Sequence, residues 1–190
     1  MKYGDIILSA LRKMYLNKEP ITIKELKNFK TDKNYKTYLD GIHLVVNECL
    51  NTLLNIKPYI QSMKVTDKYD LTLIDDFKKV YDLYNDDGLR IPYHIEGETK
   101  LRIEEYDENE TYTMYYESYY YVDEYTSYNE ELPIARELCL LIPLYLAAEL
   151  YKDDDNALAT TYMNEFEVGL QRLNGYQDER KQIKNVFGVF

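Results

Sequence analysis

The 190-residue chain holds only two cysteines, two histidines and seven glycines, and each scarcity removes a class of function. Cys49 and Cys139 stand far apart in apolar surroundings, which suits buried free thiols of an intracellular protein rather than a disulfide framework. With His43 and His94 as the only histidines, a zinc site of the usual ligand types is not expected, and His43 reads as a surface or half-buried helix residue. The glycines are scattered, so no glycine-rich phosphate loop is present, and neither a serine elbow nor a cysteine–histidine pairing can be picked out. Long apolar runs are missing too. The longest, LCLLIPLYLAAEL (138–150), is too short to cross a membrane and contains Pro143 and Glu149. The opening MKYGDIILSALRKMY is amphipathic and lacks the continuous apolar core of a secretory signal.

Positive charge is also in short supply. Lys and Arg total 23 against 34 Asp and Glu, for a net charge of −11, which argues against nucleic acid as the main partner. The one basic run, KELKNFKTDKNYK (24–36), is broken by acidic residues and reads as a solvated face. Among so many acids any choice of a hydrolytic carboxylate pair is arbitrary. The runs YNDDG and KDDDN lack the alternating oxygens, central glycine and closing glutamate of a calcium loop, and turn and cap chemistry accounts for both. The expectation is a soluble, non-enzymatic protein with no catalytic, cofactor-binding or metal residues, whose acidic surface suits basic or neutral protein partners.

What is there is organised in three stretches. Residues 3–16 place Ile6, Ile7, Ala10, Leu11 and Met14 at helical spacing, NKEP breaks the pattern, and TIKE (22–25) is a capping box opening a short helix. After TDKN, residues 34–64 repeat apolar side chains from Leu39 to Met63 every three or four positions, predicting a long helix bent near Pro58. From residue 66 the period shortens. KKVYDLY (78–84), LRIPYHI (89–95), KLRIEEY (100–106) and TYTMYYESYYYV (111–122) are separated by NDDG, EGE and DENE, and read as a four-stranded antiparallel meander. Residues 131–151 then predict a helix that is apolar on almost every side, with Pro133 in its first turn. KDDDN turns the chain into a helix over 155–173, making an αα-hairpin. The fold class expected is α+β: a mainly α-helical bundle (1–66 and 129–174) with an inserted antiparallel β-meander (67–128) and an extended C-terminal tail (175–190).

Tyrosine is the excess. Of 22 tyrosines, eight lie in YTMYYESYYYVDEYTSY (112–128). A helical stripe also fits this stretch, but the strand preference of Tyr and Thr favours a strand. It carries Glu117, Asp123 and Glu124 and no basic residue, so it is not a platform for nucleic acid. Tyr112, Tyr115, Tyr116, Tyr119, Tyr120 and Tyr121 are candidate subunit-interface residues, the alternative being tyrosines that pack on each other across strands. The polar tail carries Tyr176, Val186, Phe187, Val189 and Phe190, which read as docking anchors ordered by a partner, or as a frayed terminus.

Residues 131–173 join an apolar helix containing Pro143, the pair LY before an acidic turn, and a second helix of the form A..Y..EF...L..L, met by Ala159, Tyr162, Glu165, Phe166, Leu170 and Leu173. This stretch resembles the terminal helical hairpin of bacteriophage head-to-tail connector (adaptor) proteins, which form the ring beneath the portal in tailed phages. YLDGIHLVVNECLNTL (38–53), with Asn47 in the matching place, resembles their long helix, and DDFKKVYDLYNDDGLRIPYHI (75–95) the start of their β insertion. The resemblance spans most of residues 35–173. It implies a small subunit of the virion neck, assembled in the host cytoplasm as a homo-oligomeric ring, commonly of twelve copies. Its implied partners are the portal protein and downstream tail or nozzle proteins, with DNA only as passing cargo in an acidic channel and no membrane, cofactor or catalysis. The tail residues above would then dock on the portal. A non-enzymatic binding module, holding a protein or carbohydrate on the Tyr-rich sheet, is the alternative.

Overall fold

A computed structural model describes the backbone of residues 1–14, 22–29, 36 and 38–187, and the side chains of these except 27–29 and 176–187. The NKEP break and the TDKN turn lie outside the described residues. The chain divides into two units, one formed by Met1–Lys57 with Tyr121–Phe190 and the other by Pro58–Tyr120.

The first unit is helical. Helix α1 (Tyr3–Lys13) buries Ile6, Ile7, Ala10 and Leu11 completely, one stripe at helical spacing. In α2 (Ile23–Phe29) the Glu25 carboxylate accepts from the Thr22 backbone N–H at 2.7 Å, the reach-back half of a capping box. Helix α3 (Ile42–Ile56) buries Val46, Cys49, Leu50 and Leu53. A four-residue α4 (Arg136–Cys139) precedes α5 (Ile142–Tyr151), which packs on α1, α3 and α6 (Asn156–Phe187) and buries Leu146 and Ala147 fully. Asp155 caps α6 by accepting from Ala157 and Leu158 N–H, each at 3.1 Å. The α5–α6 pair is fastened to α1 by two phenols: Tyr162 donates to the Lys13 carbonyl at 2.6 Å, and Tyr151 to that of Met14.

The second unit holds two three-stranded antiparallel sheets. Strand β6 (Tyr112–Ser118) lies between β1 (Tyr59–Val65) and β3 (Phe77–Tyr84), while β5 (Lys100–Ile103) lies between β2 (Tyr69–Asp70) and β4 (Tyr93–Glu96). One core of Val65, Leu71, Leu83, Leu101, Ile103, Tyr112, Met114 and Tyr116 draws residues from both sheets.

The expected fold class is therefore corrected. The chain is a mixed α+β protein, not a helical bundle with one inserted meander and a long extended tail. Three physical reasons account for the difference. The long helix ends at Ile56 because the residue before Pro58 is pushed out of the helical region, and the following YIQSMKV, rich in aromatic and β-branched residues, becomes strand β1. With β1 available, β6 is a central strand paired on both sides, so β3 and β4 are not neighbours in one sheet. The segment leading into β4 meets the end of β3 where Tyr84 bridges Arg90 and Ile91 N–H donates to the Leu83 carbonyl at 2.8 Å. Finally, α6 runs on to Phe187 because 176–187 is rich in Gln, Glu, Arg and Lys, strong helix formers that need no apolar stripe. The helix expected over 131–151 is likewise two: Pro133 precedes both, and Pro143 sits in the first turn of α5, where its missing N–H costs nothing.

Candidate interaction surface

Side chains alternate across β6, so its phenols divide by parity. Tyr112 and Tyr116 point into the core, 1% and 5% exposed. The Tyr112 ring stacks at 5.4 Å on Tyr106 and its hydroxyl accepts from Asp107 N–H at 2.9 Å. Tyr116 packs at 5.9 Å from Phe77 and donates to Asp76 at 3.4 Å, and burial, then Asp76, raises its phenol pKa. These two expected contact residues are thus corrected to core residues. Tyr115 and Tyr119 are exposed and Tyr120 is half-buried, with Tyr120 edge-on to Tyr59 and Lys78 over the Tyr119 ring. Tyr121 is exposed and belongs to the helical unit.

The outer face of the β1–β6–β3 sheet carries features that the sequence pattern does not announce. Glu117 and Asp82 are 6% and 9% exposed, although both lie on the side away from the core. Glu117 is held by Lys79 at 3.0 Å and Lys78 at 3.8 Å, and Asp82 by the Arg90 guanidinium at 2.6 Å. Asp82 also accepts from the Tyr84 hydroxyl at 3.0 Å, which is the main cause of a raised Tyr84 pKa. Such partners are what keep a buried carboxylate tolerable. Register shifts in β3 between Phe77 and Lys79 and between Val80 and Asp82 bring these charges alongside β6, and a bulge cannot be read from a period of two.

Beside them Ile60, Tyr81, Tyr84, Thr113 and Tyr115, with Asn85, Asp86 and Gly88, line an open groove of about 430 Å³, in which Tyr84 and Tyr115 meet edge to face at 5.7 Å. The groove thus presents three phenol rings and the Ile60 side chain beside polar Asn85 and Thr113 and the Asp86 carboxylate, which Lys64 holds at 3.1 Å. Aromatic rings bordered by hydrogen-bonding groups are the chemistry of contact with a polar, partly apolar surface. Among the described residues no three His, Cys, Asp or Glu side chains converge as a metal site.

Of the expected docking residues, Tyr176, Val186 and Phe187 belong to α6 by backbone, whereas Val189 and Phe190 lie outside the described residues. Asn47 has a definite task. From α3 it donates to the Val122 carbonyl at 2.8 Å and accepts the Val122 N–H at 2.9 Å, holding the chain where it rejoins the helical unit. No protein-family model matches the chain, and no curated protein matches it.

Proposed function

We propose that this chain is a structural virion protein: a head-to-tail adaptor that forms a ring under a portal and links a phage capsid to its tail. The observation that carries the reading is the α5–α6 pair. The residues of its A..Y..EF...L..L pattern include those that build the pair. Ala159 and Phe166 are buried, Phe166 meets the Tyr145 ring at 5.1 Å, and Tyr162 ties the second helix to α1. The β unit interrupts the helical unit in the chain, as an insertion does. An acidic subunit suits a DNA channel that must let the genome slide. In this reading the exposed phenols contact neighbouring subunits and the end of α6 meets the portal.

Co-expression with the portal encoded beside its gene should yield a ring complex visible by electron microscopy. Absence of the protein from purified virions would refute the proposal; monomeric behaviour of the free chain would not, since a ring can close on its portal. The groove on the outer sheet face supports a second reading, a non-enzymatic module for a protein or carbohydrate. Saturable binding by the isolated chain, with no virion association, would decide for it.

A further inference from the structure

We propose that strand β1 is a self-pairing edge, through which two copies of the chain join about a two-fold axis at Ser62 into one six-stranded sheet. The inference is independent of the adaptor reading and concerns the free chain. Backbone N–H and C=O groups of β6 point alternately to its two neighbouring strands. Tyr119 N–H donates to the Asp76 carbonyl at 2.8 Å, on the β3 side of β6. Since these groups alternate, Tyr112, Met114, Tyr116 and Ser118 turn theirs toward β1. Their register partners are Val65, Met63, Gln61 and Tyr59, so Ile60, Ser62 and Lys64 aim N–H and C=O away from the sheet. The far edge gives the same parity independently. Leu83, opposite Met114, turns its carbonyl away from β6, where Ile91 N–H takes it at 2.8 Å.

The two edges differ in kind. That of β3 is bulged twice and partly covered by Arg90 and Ile91. That of β1 is seven residues long without a register shift, Ser62 and Lys64 are exposed, and no other described residue bonds its outward backbone groups. A long regular edge is a template for another strand.

Charge and register choose a second copy as the occupant. None of the chain's 34 acidic residues falls between Asn51 and Thr66, and the acids bonded to β1 side chains, Asp76 to Gln61 and Asp86 to Lys64, are already paired, so β1 sets no carboxylate of its own against the copy. Centred on Ser62, antiparallel pairing sets Ile60 against Lys64, Gln61 against Met63 and Tyr59 against Val65. No like charges face each other, and two aromatic–β-branched pairs form. The outward-bonding residues of one copy are also those of the other in this register. A two-fold contact closes on itself and is a different closure from a ring.

The purified 190-residue chain should sediment as a concentration-dependent dimer. Ser62→Cys should cross-link to itself under mild oxidation, because Cα atoms of a hydrogen-bonded pair lie about 5.5 Å apart, within disulfide reach. Lys64→Cys, facing Ile60 of the copy, should not. The native Cys49 and Cys139 are buried. Ile60→Lys sets Lys against Lys64 twice per dimer and should weaken the dimer about tenfold with unchanged circular dichroism. Ser62→Pro removes a donor that β6 does not use and should give a folded monomer. A wild type that stays monomeric up to its solubility limit, or equal cross-linking by the two cysteine variants, would overturn the proposal. Because every readout is on the chain alone, failure here leaves the adaptor reading to its own virion test.

Discussion

Replacing Asn47 by alanine tests how the helical unit holds the returning chain. Asn47 makes two hydrogen bonds to a single residue, Val122, whose exposure is only 2%. Each bond contributes about 1 kcal/mol net, and a buried backbone group left without a partner costs about 1–3 kcal/mol. Asn47 is half-buried, so water reaches part of the vacated space, and the expected loss is about 2–4 kcal/mol. Alanine is the better helix former by roughly 0.5 kcal/mol, too little to reverse the sign. In urea, with a slope of about 2 kcal/mol/M, the midpoint of the helical circular-dichroism transition should fall by about 1–2 M.

Asn47→Asp sharpens the test. The ionised carboxylate still accepts the Val122 N–H but sets an oxygen against the Val122 carbonyl. Protonation restores the donor, so the folded-state pKa of the new carboxyl must lie above its unfolded value of about 4. A raised pKa means that the extra stability is fully present below about pH 4 and is lost as pH rises through the folded value. The deficit of this variant against wild type should therefore shrink on acidification, while that of the alanine variant should not. An alanine variant within about 0.5 kcal/mol of wild type, or an aspartate variant whose deficit ignores pH, would refute the assignment.

Four further outcomes are expected. Gly4→Ala sets a new methyl 2.7 Å from the Tyr128 carbonyl oxygen, which is backbone and cannot step aside, so thermal unfolding should drop by the equivalent of about 1–3 kcal/mol. Tyr112→Phe leaves the Asp107 N–H without its 2.9 Å acceptor and should cost about 1 kcal/mol in denaturant unfolding. Leu146→Asp places an unpaired charge at a fully buried position of α5 and should leave no folded monomer by circular dichroism. On the alkaline side, Tyr38 is pushed up to about 12 mainly by its bond to Asp154, and Tyr145 to about 12 mainly by burial. Raised phenol pKa values hold their stabilisation below pH 10 and lose it as pH climbs toward 12, so tyrosinate absorbance and loss of helix should rise together in that window.

The sequence shows most where one period dominates. The stripes of α1 and α3 are readable because apolar residues recur every three or four positions with polar ones between, and the Asp155 cap follows from an aspartate beside an apolar pattern. β1 is hidden by an accident of the same arithmetic: Leu53, Ile56, Ile60 and Met63 continue the spacing of a helix across Pro58, and only the proline's effect on its predecessor marks the break. That one misplacement carries the rest, since a strand read as helix removes a partner from β6 and turns a central strand into the end of a meander. The tyrosines follow the same logic. Their number suggests a surface, but the alternation in YTMYYES assigns Tyr112 and Tyr116 to the core and Tyr115 to solvent once one face of β6 is known to be buried. Bulges remain illegible, because the shifts in β3 that bring Lys79 to Glu117 and Asp82 to the Tyr115 position depend on how two strands settle together. The outer face, where the exposed phenols, the paired carboxylates and the groove meet, is thus written in the pairing of strands distant in sequence, and a substitution in β1 or β3 reaches it as directly as one in the tyrosine-rich stretch itself.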